Sequence, residues 1–142
     1  KTNVGIQFRH ELGRDVHAPG FYVHLAPGEC FLALGVWHPD RASLDQIRRA
    51  IADEPRPWKR ACSERRFHQH FRLEGDRLKS APREYAADHP LIEDLKRTDF
   101  VGVCDLTERE VLEEGLAERI AASFAAGRPF MRFLCRALRV PF

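Results

Sequence analysis

The chain has 142 residues, 44% hydrophobic and 31% charged, with 23 basic residues against 21 acidic for a formal net charge of +2. That length is enough to bury a real core in one domain. A charge so close to balance makes no case for nucleic acid, and the lack of any long uncharged apolar run excludes a membrane-spanning helix. The sequence begins at Lys1 without a methionine, so the absence of a visible secretory leader carries no weight.

In chain order, the first element is a strand over about Gly5–His10, where Ile6 and Phe8 alternate with Gln7 and Arg9. Gly13 to Gly20 is a polar connection. The stretch Gly20 to His38 then organises the rest. Two runs rich in β-branched and aromatic residues flank Ala26-Pro27-Gly28-Glu29. Proline presets φ at the second turn position and glycine tolerates positive φ at the third, the chemistry of a type II turn in a β-hairpin. A two-residue turn pairs Leu25 with Cys30, His24 with Phe31 and Tyr22 with Ala33. Because side chains alternate faces, one face carries Phe21, Val23, Leu25, Cys30, Leu32, Leu34 and Val36, a uniform apolar bed for helices. The other carries Tyr22, His24, Phe31, Ala33, Gly35 and Trp37, mixing rings with very small groups.

A helix is predicted over Ser43–Asp53, with Ser43 and Gln46 as a capping box and Leu44, Ile47 and Ile51 as its inner stripe. A second runs over about Pro57–Arg66, with Trp58, Ala61 and Cys62 inward and Phe67 and Phe71 anchoring the next segment. Leu73 to Asp88 reads as an ordered basic loop. Asp88-His89-Pro90 then opens a helix to about Arg97, with Asp88 as N-cap. Phe100–Cys104 is a short strand, and Thr107 with Glu110 forms a second capping box. Leu116, Ile120 and Phe124 face inward on a helix ending near Gly127. Glu113-Glu114 falls at that helix's start, where the macrodipole favours carboxylates. Pro129–Arg139 is the last helix, with Phe130, Phe133, Leu134 and Leu138 on one side. Strands gathered early and helices late define an α+β fold over residues 1–142, with a small, mostly antiparallel sheet centred on the hairpin Phe21–Trp37 and helices mainly on one face.

The four cysteines, Cys30, Cys62, Cys104 and Cys135, lack zinc spacing and sit among apolar residues, as buried free thiols do. No His-Glu-x-x-His pair, nucleophile elbow, P-loop or dinucleotide fingerprint occurs. No metal and no cofactor is expected. The first candidate site is the mixed hairpin face: Tyr22 and His24 beside the hollow left by Ala33 and Gly35, with Trp37 as a wall. The plainer reading is that those small residues let a helix approach closely. The second candidate is the basic loop, with Arg77, Lys79, Arg83, His89 and Lys96 near a helix N-terminus, where orphan N–H groups attract anions. The plainer reading is a solvated surface with local ion pairs.

Three stretches carry a resemblance: Gly20 to Pro39; Gly75-Asp76-Arg77-Leu78-Lys79 with Pro82; and Asp88-His89-Pro90-Leu91-Ile92 with Leu95-Lys96. Together, and in this order, they resemble the conserved-hypothetical family known as domain of unknown function 2461, found mainly in bacteria with fungal members. The resemblance implies a soluble cytoplasmic protein and no particular activity. Proteins of that family carry a helical region and a signature R-D-x-R-F…K-x-P-Y-K ahead of this region. Lys1-Thr2-Asn3-Val4-Gly5 looks like the tail of that signature, so the resemblance implies the C-terminal two-thirds of a family member. Lys1, Lys79, Lys96 and His24 fall on family motif positions.

The leading expectation is therefore a binding domain for a small phosphate- or carboxylate-bearing ligand, contacted by Lys1, Tyr22, His24, Trp37, Lys79, Arg83, His89 and Lys96. One alternative is a hydrolase or transferase with His24 as general acid or base. The other is a protein–protein interaction module. The oligomeric state is left open.

Overall fold

The computed structural model describes residues 4–9 and 18–142. Among them, β1 (Val4–Arg9), β2 (Gly20–Ala26), β3 (Glu29–Val36), β4 (Arg72–Glu74) and β5 (Phe100–Leu106) form one sheet in the order β1-β2-β3-β5-β4. Every neighbouring pair is antiparallel, so the architecture is α+β. Between and after the strands lie α1 (Arg41–Asp53), α2 (Pro55–Ser63), α3 (Arg65–His70), α4 (Ile92–Leu95), α5 (Glu108–Leu112), α6 (Leu116–Ala126) and α7 (Arg128–Ala137). None is long and apolar enough to cross a membrane.

The hairpin has the register its turn dictates: Leu25 pairs with Cys30, His24 with Phe31 and Tyr22 with Ala33. Gly28 holds φ at +78°, the value the third turn position requires, and its N–H donates to Glu108 Oε1 at 2.6 Å. The two faces then diverge as alternation demands. On one, Cys30, Leu32, Leu34 and Val36 stand opposite Leu106, Cys104, Gly102 and Phe100. Helices cover this face around Trp58, which is fully buried, with Phe133, Phe100 and Phe130 rings 5.2, 6.0 and 6.0 Å away. On the other face, Ala33, Val101 and Val103 make a separate small cluster with Tyr22 and Phe31. Every member is a strand residue, so no helix of the described residues contributes to it.

Several expected boundaries move. The cap of α1 is Asp40, whose carboxylate accepts from the Ser43 N–H at 2.7 Å; the helix starts two residues earlier than Ser43, which becomes a first-turn donor. The helix expected over Pro57–Arg66 is two, α2 and α3, separated at Glu64, whose ψ of 144° is extended. Strand β4 falls where a loop was expected. It has only three residues, too few for periodicity to register, and it forms because β5 offers an open edge. The helix expected from Asp88 to Arg97 shrinks to α4, with Leu91 rather than Asp88 at its N-cap position. Carbonyls at and just past its end are taken by a side chain instead of a further turn: Arg48 donates to the Leu95 carbonyl at 2.7 Å and to the Arg97 carbonyl at 3.2 Å. Glu113-Glu114 lies in the connection between α5 and α6, not at a helix start.

Candidate functional site

A cavity of about 320 Å3 opens on the sheet face that no helix of the described residues covers. Ala33, Gly35 and Val101 form its floor, Tyr22, Phe31 and Trp37 its aromatic walls, and Gln7 its polar margin. Strand pairing explains the composition. Gly20, Gly35 and Val101 are cross-strand partners in one row, and Tyr22, Ala33 and Val103 in the next. Only small groups occupy the centre, and the large rings stand around it. Trp37 follows the last residue of β3 and is 55% exposed, so its ring area stays largely in water. His24 stacks on Phe31 at 4.9 Å between ring centroids and lies outside the cavity lining.

The structure brings Tyr22 and Trp37 together at this cavity and keeps the basic residues off its walls. Lys79 and Arg83 are exposed on the loop and have no ion pair among the described residues. Lys96 Nζ donates to Glu93 Oε2 at 2.9 Å. His89 Nδ1 accepts from the Leu91 N–H at 3.0 Å, a local turn contact. Lys1 lies outside the described residues.

Two polar nodes hold the loop in place, and neither was read from the sequence. Asp99 is 1% exposed; its carboxylate accepts from the His38 N–H at 2.8 Å and from the Asp76 N–H at 3.1 Å, so the end of β3 and the start of the basic loop share one anion. In the second node, Asp94 accepts from the Trp58 indole at 2.9 Å and from Arg97 at 3.0 Å, while the buried Arg48 guanidinium donates to the carbonyls of Leu95 and Arg97. Burial holds Arg48 below its ordinary pKa, opposed mainly by the nearby Asp45 carboxylate. An aspartate ahead of a strand and an arginine inside a helix carry no sequence signal for such roles. Only the partners, distant in the chain, reveal them.

Three of the four buried thiols are poor nucleophiles. Burial pushes Cys62 up to about 12 and Cys135 to about 11, and Cys104 also rises through burial, so all three stay protonated at neutral pH. Among the described residues, no group of three His, Cys, Asp or Glu side chains is placed to hold a metal.

His70 ends α3 and shares a 2.9 Å hydrogen bond with Ser123 of α6. Burial lowers its pKa, with the Arg119 and Arg66 charges adding to the effect. The unfolded chain therefore binds the proton at a higher pH than the folded one. His70's contribution is complete above its unfolded value near 6.5 and is lost as pH falls below it. The urea midpoint of the parent should fall between pH 7.5 and pH 5.5 by more than that of His70→Asn. Equal falls in the two proteins would refute the assignment.

Among the described residues, a five-stranded antiparallel sheet with helices on one face and an aromatic-walled cleft on the other defines an α+β fold with one concave sheet surface. The chain belongs to the family described as conserved hypothetical protein (DUF2461), whose family model matches residues 1–133. That match carries the family assignment and nothing about sequence beyond the chain's own ends. No curated protein and no solved structure matches.

Proposed function

We propose that the chain is a binding domain for a small ligand with a planar ring and an anionic substituent, the ring seated in the cleft between Tyr22, Phe31 and Trp37. The observation that carries this reading is the cleft itself: a small-residue floor inside three aromatic walls, on a sheet face free of helices among the described residues. Stacking a ring on such walls contributes about 1–3 kcal/mol per ring, and concave apolar sites with few polar groups are where small ligands bind. The anionic part follows from connectivity. Asp99 holds Asp76 beside His38, so the loop bearing Lys79 and Arg83 departs from the Trp37 end of the cleft. Their unpaired charges suit a phosphate or carboxylate reaching past Trp37. Mononucleotides are the ligand class to screen first.

Differential scanning fluorimetry with mononucleotides, phosphosugars and aromatic carboxylates tests the reading. A ligand present at a hundred times its Kd should stabilise the chain by about 2.7 kcal/mol. Ala33→Leu, which fills the floor, should remove the response while the urea midpoint confirms folding. Lys79→Ala should weaken a nucleotide about tenfold and leave the matching uncharged nucleoside unaffected. No response to any of these ligands, or an unchanged response in Ala33→Leu, would sink the proposal.

A further inference from the structure

Among the described residues, the helix layer leaves part of the sheet's apolar face uncovered. Over β1 and β2 lies a groove of about 660 Å3, floored by Ile6, Val23 and Leu25. Along one side runs α6, pinned to β2 by Phe21 and Phe124, whose ring centroids are 4.6 Å apart. The floor is closed at its centre and open toward β1: Val23 is buried and Leu25 half-buried, whereas Ile6 is 41% exposed and Phe142, on the far wall, is 54% exposed. From α6 two rows at four-residue spacing line the groove: Leu116, Ile120 and Phe124 form a ridge, and Ala117, Ala121 and Ala125 form the shallow valley beside it. Among the described residues, Arg128 is the one charged residue lining the groove, and Arg132 lies 5.7 Å over the Phe142 ring. Neither arginine has an ion pair among those residues.

These features specify an occupant. Two strands about 4.8 Å apart present a floor roughly 10 Å wide, the width of one α-helix. An alanine ladder at four-residue spacing is a groove into which the ridge of a second helix fits, with axes about 8 Å apart. The apolar floor calls for an apolar stripe on that helix, and the two arginines call for acid at one end. Acidic side chains are most favourable in a helix's first turn, and Arg128 follows the C-terminal end of α6. We propose that this groove is the docking site of an amphipathic α-helix, lying antiparallel to α6 with acidic residues of its first turn against Arg128 and Arg132. The site is on the sheet face opposite the cleft, so it stands or falls independently of the ligand proposed above.

The test uses the 142-residue chain and a fluorescein-labelled peptide of about 15 residues, roughly four helical turns. The peptide carries leucines at i, i+3, i+4 and i+7 spacing and glutamates in its first turn. Fluorescence anisotropy should show saturable binding. Exchanging the glutamates for lysines should weaken it about tenfold, and Arg128→Glu should reverse that preference. Ala121→Glu, at an exposed position, should abolish binding with the urea midpoint unchanged. Equal binding of a peptide with its leucine pattern scrambled would overturn the inference. So would an Arg128→Glu protein that keeps the parent's charge preference. Dodecanoate binding without peptide binding would assign the groove to acyl chains instead, and a dimer that Ala121→Glu splits would assign it to a second copy of the chain.

Discussion

Gly35→Ala should destabilise the protein by about 3–5 kcal/mol, the sum of backbone strain and steric overlap. Gly35 sits near the end of β3 with φ at +126°, a conformation that side chains rarely adopt. A Cβ there would collide with the Phe100 carbonyl oxygen and stand 3.0 Å from its carbon and 3.1 Å from the Val101 Cα. All three are backbone atoms of a paired central strand, so no side chain can swing aside. A glycine within a strand marks such a close backbone approach, and here that approach also makes the cleft floor flat. Native domains hold only about 5–15 kcal/mol in total, so the variant should unfold at far lower urea or fail to accumulate. Gly28→Ala is the control. Gly28 also has positive φ, at +78°, but an added Cβ meets nothing within 4 Å. It should cost only about 1–2 kcal/mol, the left-handed penalty alone. Urea titrations giving the two variants equal midpoints would show that the close approach at Gly35 does not matter.

Asp99→Asn should cost about 2–4 kcal/mol despite its near-identical shape, because hydrogen bonds to a charged group contribute roughly 1.5–3 kcal/mol each. Both carboxylate oxygens accept, Oδ1 from the His38 N–H and Oδ2 from the Asp76 N–H. An asparagine has one carbonyl oxygen, so its NH2 must face one of those N–H donors and deprive it of the Asp99 acceptor. The imidazole of His38, 3.3 Å from Oδ1, also loses its anionic neighbour. Damage should be local as well as global. The amides of His38 and Asp76 should exchange with solvent much faster than those of β3, because the loop is no longer tied to the strand. The variant should also bind any anionic cleft ligand more weakly, since the loop bearing Lys79 would be released from the Trp37 end. A stability within about 0.5 kcal/mol of the parent, the usual spread for a neutral surface change, would mean that the node is incidental.

The hairpin was legible because its determinants are local. Pro27-Gly28 sets the turn, the turn sets the register, and alternation assigns every side chain from Phe21 to Val36 to a face. The inner residues of α2 and α7 were legible for the same reason: Trp58, Ala61, Cys62, Phe130, Phe133 and Leu134 recur at helical spacing, and all are buried. The region between Phe71 and Phe100 was read less well. Its shape is held by Arg48, Trp58, Asp94 and Asp99 through bonds reaching 36 to 61 residues along the chain. A four-residue α4 and a three-residue β4 have too little periodicity of their own to be seen without those partners.

The candidate site divides the same way. The aromatic and small residues at the cleft follow from local alternation, so the sequence alone determined that Tyr22, Phe31, Ala33 and Gly35 share a face. The family, too, was determined at that level, by motif stretches in order. Tertiary structure decided the rest. It left that face without a helix among the described residues, kept Lys96 and His89 in local contacts of their own, and joined the basic loop to Trp37's end of the sheet through one buried carboxylate. The physical reason is the range of the forces involved. Dihedral preference and side-chain alternation act between neighbours in the chain, whereas burial and charge pairing depend on what the completed fold brings alongside.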